Sequence, residues 1–181
     1  MVRHVLQTGQ TRCYDVRGRV IPCNWTGQDG EVRPGVPWPE PRFLAEGSVV
    51  EDRLTGLSWP RNATACEWPL PWEEALGWVA RRNREVWLGH ADWRMPDRRE
   101  MRSLISHQAR DPALPAGHPF GGVFPGHPFR RPCESYWSST SSAYEPDWCM
   151  ALHLDRGAVG VGQKKGHSFS VWAVSGMGSD C

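Results

Sequence analysis

Apolar positions along this chain recur at two spacings. Trp72, Ala75, Leu76 and Val79 stand three and four apart while Glu73, Glu74, Arg81 and Arg82 fall largely elsewhere, which predicts a helix opening at Pro71 with one buried stripe. A second helix start lies at Asp97. Its carboxylate can accept from first-turn amides, and Glu100, three residues on, can return a bond to the Asp97 amide, with Met101, Leu104 and Ile105 as the buried stripe. Elsewhere the period is two. Short strands are predicted over 49–52 and 57–59 with a Thr55-Gly56 turn between them, then over 136–139, 148–154, 158–161 and 169–174. In 148–154 the alternation puts Trp148, Met150, Leu152 and Leu154 on one face, and Asp155-Arg156-Gly157 turns the chain into the next strand. Short strands, two helices, a long loop and a terminal antiparallel sheet predict an α+β fold.

The stretch "CYDVRGRVIPC" has Gly18 between two β-capable runs, so a hairpin with a Cys13–Cys23 disulfide across its ends is predicted. "TGQDGEVRPGVPWPEPRF" follows, too rich in Gly and Pro for anything but extended or turning chain, pinned by Trp38 and Phe43. Residues 1–44 therefore read as a turn-rich strap and 45–181 as the domain proper. Residues 109–133, with the near-repeat "GHPFGGVFPGHPF", read as a long irregular loop pinned by Phe120 and Phe129.

Composition narrows the function classes. With 21 basic and 20 acidic residues the formal charge is +1, so no general attraction to nucleic acid or an anionic membrane is built in. No run approaches the ~20 apolar residues of a membrane span, and the start lacks the apolar core of a secretory leader. The six cysteines, at 13, 23, 66, 133, 149 and 181, form no CxxC pair, which disfavours zinc ribbons and thioredoxin-like sites and favours disulfides in an oxidising compartment. The 11 tryptophans suit a loop-rich core filled by large flat rings.

The motifs "QTGQTRCYDVRGRVIPC", "TGQDGEVRPGVPWPEPRF", "LTGLSW", "WEEAL", "DWRMPDRREMRSLI", "YWSST" and "VWAV" together closely resemble the Lcl C-terminal domain family, named after a bacterial collagen-like adhesin. The resemblance implies a C-type-lectin-like fold, two helices flanking a small twisted sheet with a loop region as the binding surface. It further implies an extracytoplasmic recognition or adhesion module without catalysis, binding a glycan, sulfated in the named member, or a protein surface. Oligomeric state is left open. Members often carry an Arg after the "VWxV" motif, whereas this chain reads "VWAVSGMGSDC". Lectin-like folds also serve as hypervariable display proteins of diversity-generating retroelements, and the formylglycine-generating oxidases share the fold and use a cysteine pair. These supply two alternatives, the second nominating Cys133 and Cys149 by analogy.

The candidate contact residues follow from chemistry. Around its proline turn, "AYEPDW" offers the ring of Tyr144 for stacking and the carboxylates of Glu145 and Asp147 for hydrogen bonds. Lys164, Lys165 and His167, with Arg130 and Arg131 from the long loop, can converge into a basic patch for sulfates or carboxylates. Calcium needs 6–8 oxygen ligands, and only Glu145, Asp147 and Asp155 offer themselves; zinc at His118, His127 and Cys133 lacks a fourth ligand. No metal or cofactor is expected. "GAVGVGQKK" fails as a phosphate loop because Gln163 stands where Lys is required, and "WSSTSS" is no nucleophile elbow. Sequons at Asn24 and Asn62 matter only in a glycosylating host.

Overall fold

The computed structural model describes residues 5–121 and 134–176. In the strap, β1 (Cys13–Tyr14) pairs antiparallel with β2 (Val20–Ile21), and Gly18 takes the left-handed conformation, φ 77°, at their turn. The predicted Cys13–Cys23 disulfide is present, with Cα atoms 5.2 Å apart. The Gly/Pro-rich stretch that follows also contains a single helical turn, α1 (Asp29–Val32). Its Gly30 lies directly on the Arg12 carbonyl, where any Cβ would overlap the backbone. Gln108 ties the strap to the rest of the chain. Its side-chain oxygen accepts from the Thr11 and Arg12 amides at 2.8 Å each, and its nitrogen donates to the Tyr14 hydroxyl.

The predicted hairpin forms as β4 (Val49–Asp52) and β5 (Leu57–Pro60), joined on its other edge by β3 (Phe43–Glu46). Just before β3, Arg42 enters the interior. Its guanidinium lies 4.7 Å from both the Trp38 and Phe43 rings and clasps the fully buried Asp52 through two bonds of 2.9 and 2.7 Å. Asp52 also accepts from the Leu54 amide and the Thr55 hydroxyl, so a buried charge has a full set of partners.

Helix α2 (Trp72–Arg84) buries Ala75, Trp78 and Val79, with Pro71 at its cap position rather than inside the first turn. Helix α3 (Arg98–Ser103) opens with the anticipated capping box: Asp97 accepts from the Arg99 and Glu100 amides, and Glu100 accepts from the Asp97 amide. Strands β6 (Ser135–Ser141), β7 (Trp148–His153) and β8 (Ala158–Gln163) form the terminal antiparallel sheet.

Two aromatic-rich clusters make the core, and the segment 169–175 runs between them. Trp172 and Val174 belong to one cluster, with Trp59, Leu104, Phe120 and Tyr136; Val171 and Ala173 belong to the other, with Trp78, Trp93 and Trp137. The alternation predicted for 169–174 is therefore real, but both faces are buried. Its pairings are isolated bridges, Phe169 to Leu70, Ser170 to Tyr136, Val174 to Arg94 and Ser175 to Ser58, because four different segments meet it. The one-face reading of 148–154 fails for the same reason. Leu152 and Leu154 go into the first cluster, Cys149 and Ala151 into the second, and Trp148 and Met150 stay half-buried.

Candidate binding cleft

The residues nominated from sequence gather around the β6–β7 and post-β8 turns, with two exceptions. Arg130 and Arg131 lie outside the described residues. Lys164 is held internally: its ammonium donates to the Ser141 hydroxyl at 2.7 Å and the Pro146 carbonyl at 2.8 Å, and sits 4.4 Å over the Trp72 ring. Those contacts occupy its charge in bracing the turn. Asp147 accepts from the Gln163 side chain, and its carbonyl accepts from the Lys164 amide. His167 accepts at Nδ1 from the Gln163 amide, with its ring 5.8 Å from Trp148 and 5.9 Å from Phe169. Tyr144 is 91% exposed, and Glu145 and Lys165 are exposed as well. Among the described residues, this surface offers the ring of Tyr144 and the ammonium of Lys165 to solvent.

Asp155 is remote from the other two acids considered for calcium. Strand β7 separates it from Glu145 and Asp147 by roughly 20 Å at the usual rise per residue. Of the zinc candidates, His127 and Cys133 lie outside the described residues, and among the described residues no group of three His, Cys, Asp or Glu converges. Cys149 is fully buried, and that burial pushes its thiol above the ordinary value; its Sγ donates to the Ser138 and Thr140 carbonyls. A thiol so held is a structural donor rather than a nucleophile at neutral pH.

A cavity of about 830 Å³ lies elsewhere, between α2, the 60–70 segment and the turn after α2. Trp78, Trp87 and Leu88 form its apolar wall, the first two rings meeting edge to face at 5.4 Å. Its rim carries Arg61, Arg81 and Arg82 against one carboxylate, Glu67, and the 74%-exposed ring of Trp68. Arg82 lies 5.1 Å over Trp78 and pairs with Glu85 at 2.7 Å. Arg61 uses only its Nε, donating to the Pro119 carbonyl, and neither Arg61 nor Arg81 has a carboxylate partner among the described residues. Cys66 closes the cleft, its Sγ donating to the Trp68 carbonyl.

Chemically the cleft pairs guanidinium forks, which match the oxygens of sulfate or carboxylate, with flat apolar surface. Sequence reasoning set Arg81 and Arg82 aside as the solvated side of α2. The available signal was their spacing from Trp78: residues three and four apart share a helix face, so the arginines had to crown that ring.

The model of the Lcl C-terminal domain matches residues 48–175, from the start of the β4 hairpin through the buried terminal segment. The chain belongs to the Lcl C-terminal domain family. No curated protein and no solved structure matches it. Every arginine and tryptophan of the cleft lies within the stretch matched to the Lcl C-terminal domain, whereas the disulfide hairpin lies before it.

Proposed function

We propose that this Lcl C-terminal domain is a noncatalytic recognition module of C-type-lectin-like fold, working outside the cytoplasm, that binds a sulfated or otherwise anionic glycan in the cleft around Arg61, Arg81 and Arg82. The observation that carries this reading is the coincidence of three arginines with exposed Trp68 around one cavity of about 830 Å³. Guanidinium groups would take the sulfates in paired hydrogen bonds while the indole covers the apolar face of a ring. Several features support the setting. The chain carries a disulfide, no helix among its described residues is long and apolar enough to cross a membrane, and two helices flank small antiparallel sheets as lectin-like folds do. Family membership agrees with an adhesion role.

Binding to heparin-derived oligosaccharides, measured calorimetrically at low and high salt, tests the proposal. Arg81→Ala should weaken binding about tenfold or more, since a hydrogen bond to a charged group is worth roughly 1.5–3 kcal/mol. The loss should shrink as salt rises, because exposed charges are screened. Lys165→Ala should change little. If Arg81→Ala and Trp68→Ala both bind like the parent protein, the cleft is not the site.

A further inference from the structure

The strap, which precedes the family domain, holds a second feature that the cleft does not explain. Trp25 is 97% exposed, and its backbone is left-handed, φ 67°, a conformation that bulky residues avoid. A ring left in full contact with water gains nothing on folding, and the left-handed backbone beneath it carries a cost, so packing accounts for neither.

The loop is nonetheless rigidly tied. Glu31 accepts from the Trp25 amide at 2.7 Å, the Gly27 amide at 2.8 Å and the Thr26 hydroxyl at 3.2 Å, and the Cys13–Cys23 disulfide fixes the chain two residues earlier. Beside the ring is a shallow depression of about 330 Å³ lined by Cys23, Asn24, Trp25, Gly30, Glu31 and Arg33. Arg33 is a second left-handed residue, φ 42°. Two of the strained positions in the molecule thus face one depression.

We infer that the Trp25 ring, with Asn24 and Arg33, is a saccharide-binding platform for a neutral pyranose, distinct from the anionic cleft. The chemistry is specific to that class. A pyranose has an apolar C–H face that stacks on an indole and a rim of hydroxyls that needs amide and guanidinium donors and a carboxylate acceptor. A protein ridge would require further apolar surface, and among the described residues Trp25 is the only ring lining the depression. Preorganisation gives the platform its use: the ring is already presented, so little ordering remains to oppose binding.

The test uses the full chain made in a non-glycosylating host, because Asn24 opens a sequon. Saturation-transfer NMR and titration with chitotetraose and cellotetraose should show binding of at least one of them, with transfer strongest to ring C–H protons. Trp25→Ala should weaken it by about tenfold or more, and Trp25→Phe should retain part of it. Arg81→Ala and 1 M salt should leave it unchanged, which separates this platform from the cleft whatever the cleft binds. The inference is overturned if neither saccharide gives saturation transfer, if Trp25→Ala binds as tightly as the parent, or if Arg81→Ala abolishes binding. Because Trp25 packs against nothing, its substitution should leave the melting temperature in place, and a change in binding reads the site alone.

Discussion

The strap and the body of this protein are ordered by different physics. Between residues 5 and 48 only Cys13, Gly30 and Arg42 are buried, whereas the body encloses Trp59, Trp93, Trp137, Trp172, Tyr136 and Phe120 almost completely. In the body, burial of rings at about 150–250 Å² each dominates, and polar groups are arranged to fit: the indole nitrogens of Trp137 and Trp172 donate to the Leu70 and Pro60 carbonyls. In the strap the order is inverted. A disulfide, a bare glycine contact and three gathering side chains, Gln28, Glu31 and Gln108, hold main-chain groups in place, and rings such as Trp25 are left in solvent. A segment that does not bury its own apolar surface is free to present it.

The two regions meet at Arg42 and Asp52, and the sharpest way to break the comparison is there. Asp52→Ala removes the carboxylate while leaving the guanidinium inside, and breaking a buried pair from one side costs about 3–5 kcal/mol. Both side chains are nearly sealed, 5% and 0% exposed, so solvent screening offers little relief. Urea unfolding followed by tryptophan fluorescence should show a loss of unfolding free energy of that size, read from the midpoint and slope. A loss below 1 kcal/mol, on the order expected of surface pairs, would mean that the strap joins the body through apolar contacts instead.

A smaller effect should stay within the strap. Replacing Cys13 and Cys23 together by Ser releases a short closed loop, for which the chain-entropy account gives about 2–3 kcal/mol. The body buries its rings without that crosslink, so its melting temperature should hold while amides at 13–33 lose their protection from hydrogen exchange. Equal loss of protection in β6 and β7 would erase the distinction between the regions.

What sequence showed follows the same division. Patterned burial is legible, so α2, α3, the β4–β5 hairpin and the β6–β8 sheet were all anticipated, as was the Asp97–Glu100 capping box. Covalent chemistry is legible too, as the Cys13–Cys23 hairpin shows. Faces were misread where both sides of a strand are covered, at 148–154 and 169–174, because an alternation of two buried sets carries no inside and outside. The candidate binding cleft was the least legible. Lys164 counts as a free cation in a sequence, and only coordinates reveal that Ser141 and Pro146 have claimed it. Arg61 is brought to Arg81 by tertiary structure, which no local spacing records.

The finest prediction concerns how the strap keeps Trp25 in place. The Trp25 amide first, then the Gly27 amide, hold the Glu31 carboxyl below its ordinary value of 4.5, since both bond the ionised form. A carboxyl whose pKa is lowered by folding contributes order that is fully present above the unfolded value and is lost as pH falls through the folded one. The loop should therefore remain clamped at neutral pH and down to about pH 4.5, and release only in more acid solution. Amide chemical shifts of Trp25 and Gly27 followed by NMR should move together with an inflection below 4.5. In Glu31→Gln that inflection should vanish, because the amide oxygen accepts without titrating, and the Trp25 amide should exchange faster at every pH. An inflection at or above 4.5 would show that the carboxylate does not grip the loop. The body supplies the internal control: Trp172 is held by burial and a carbonyl, so its indole signal should stay constant across the same range.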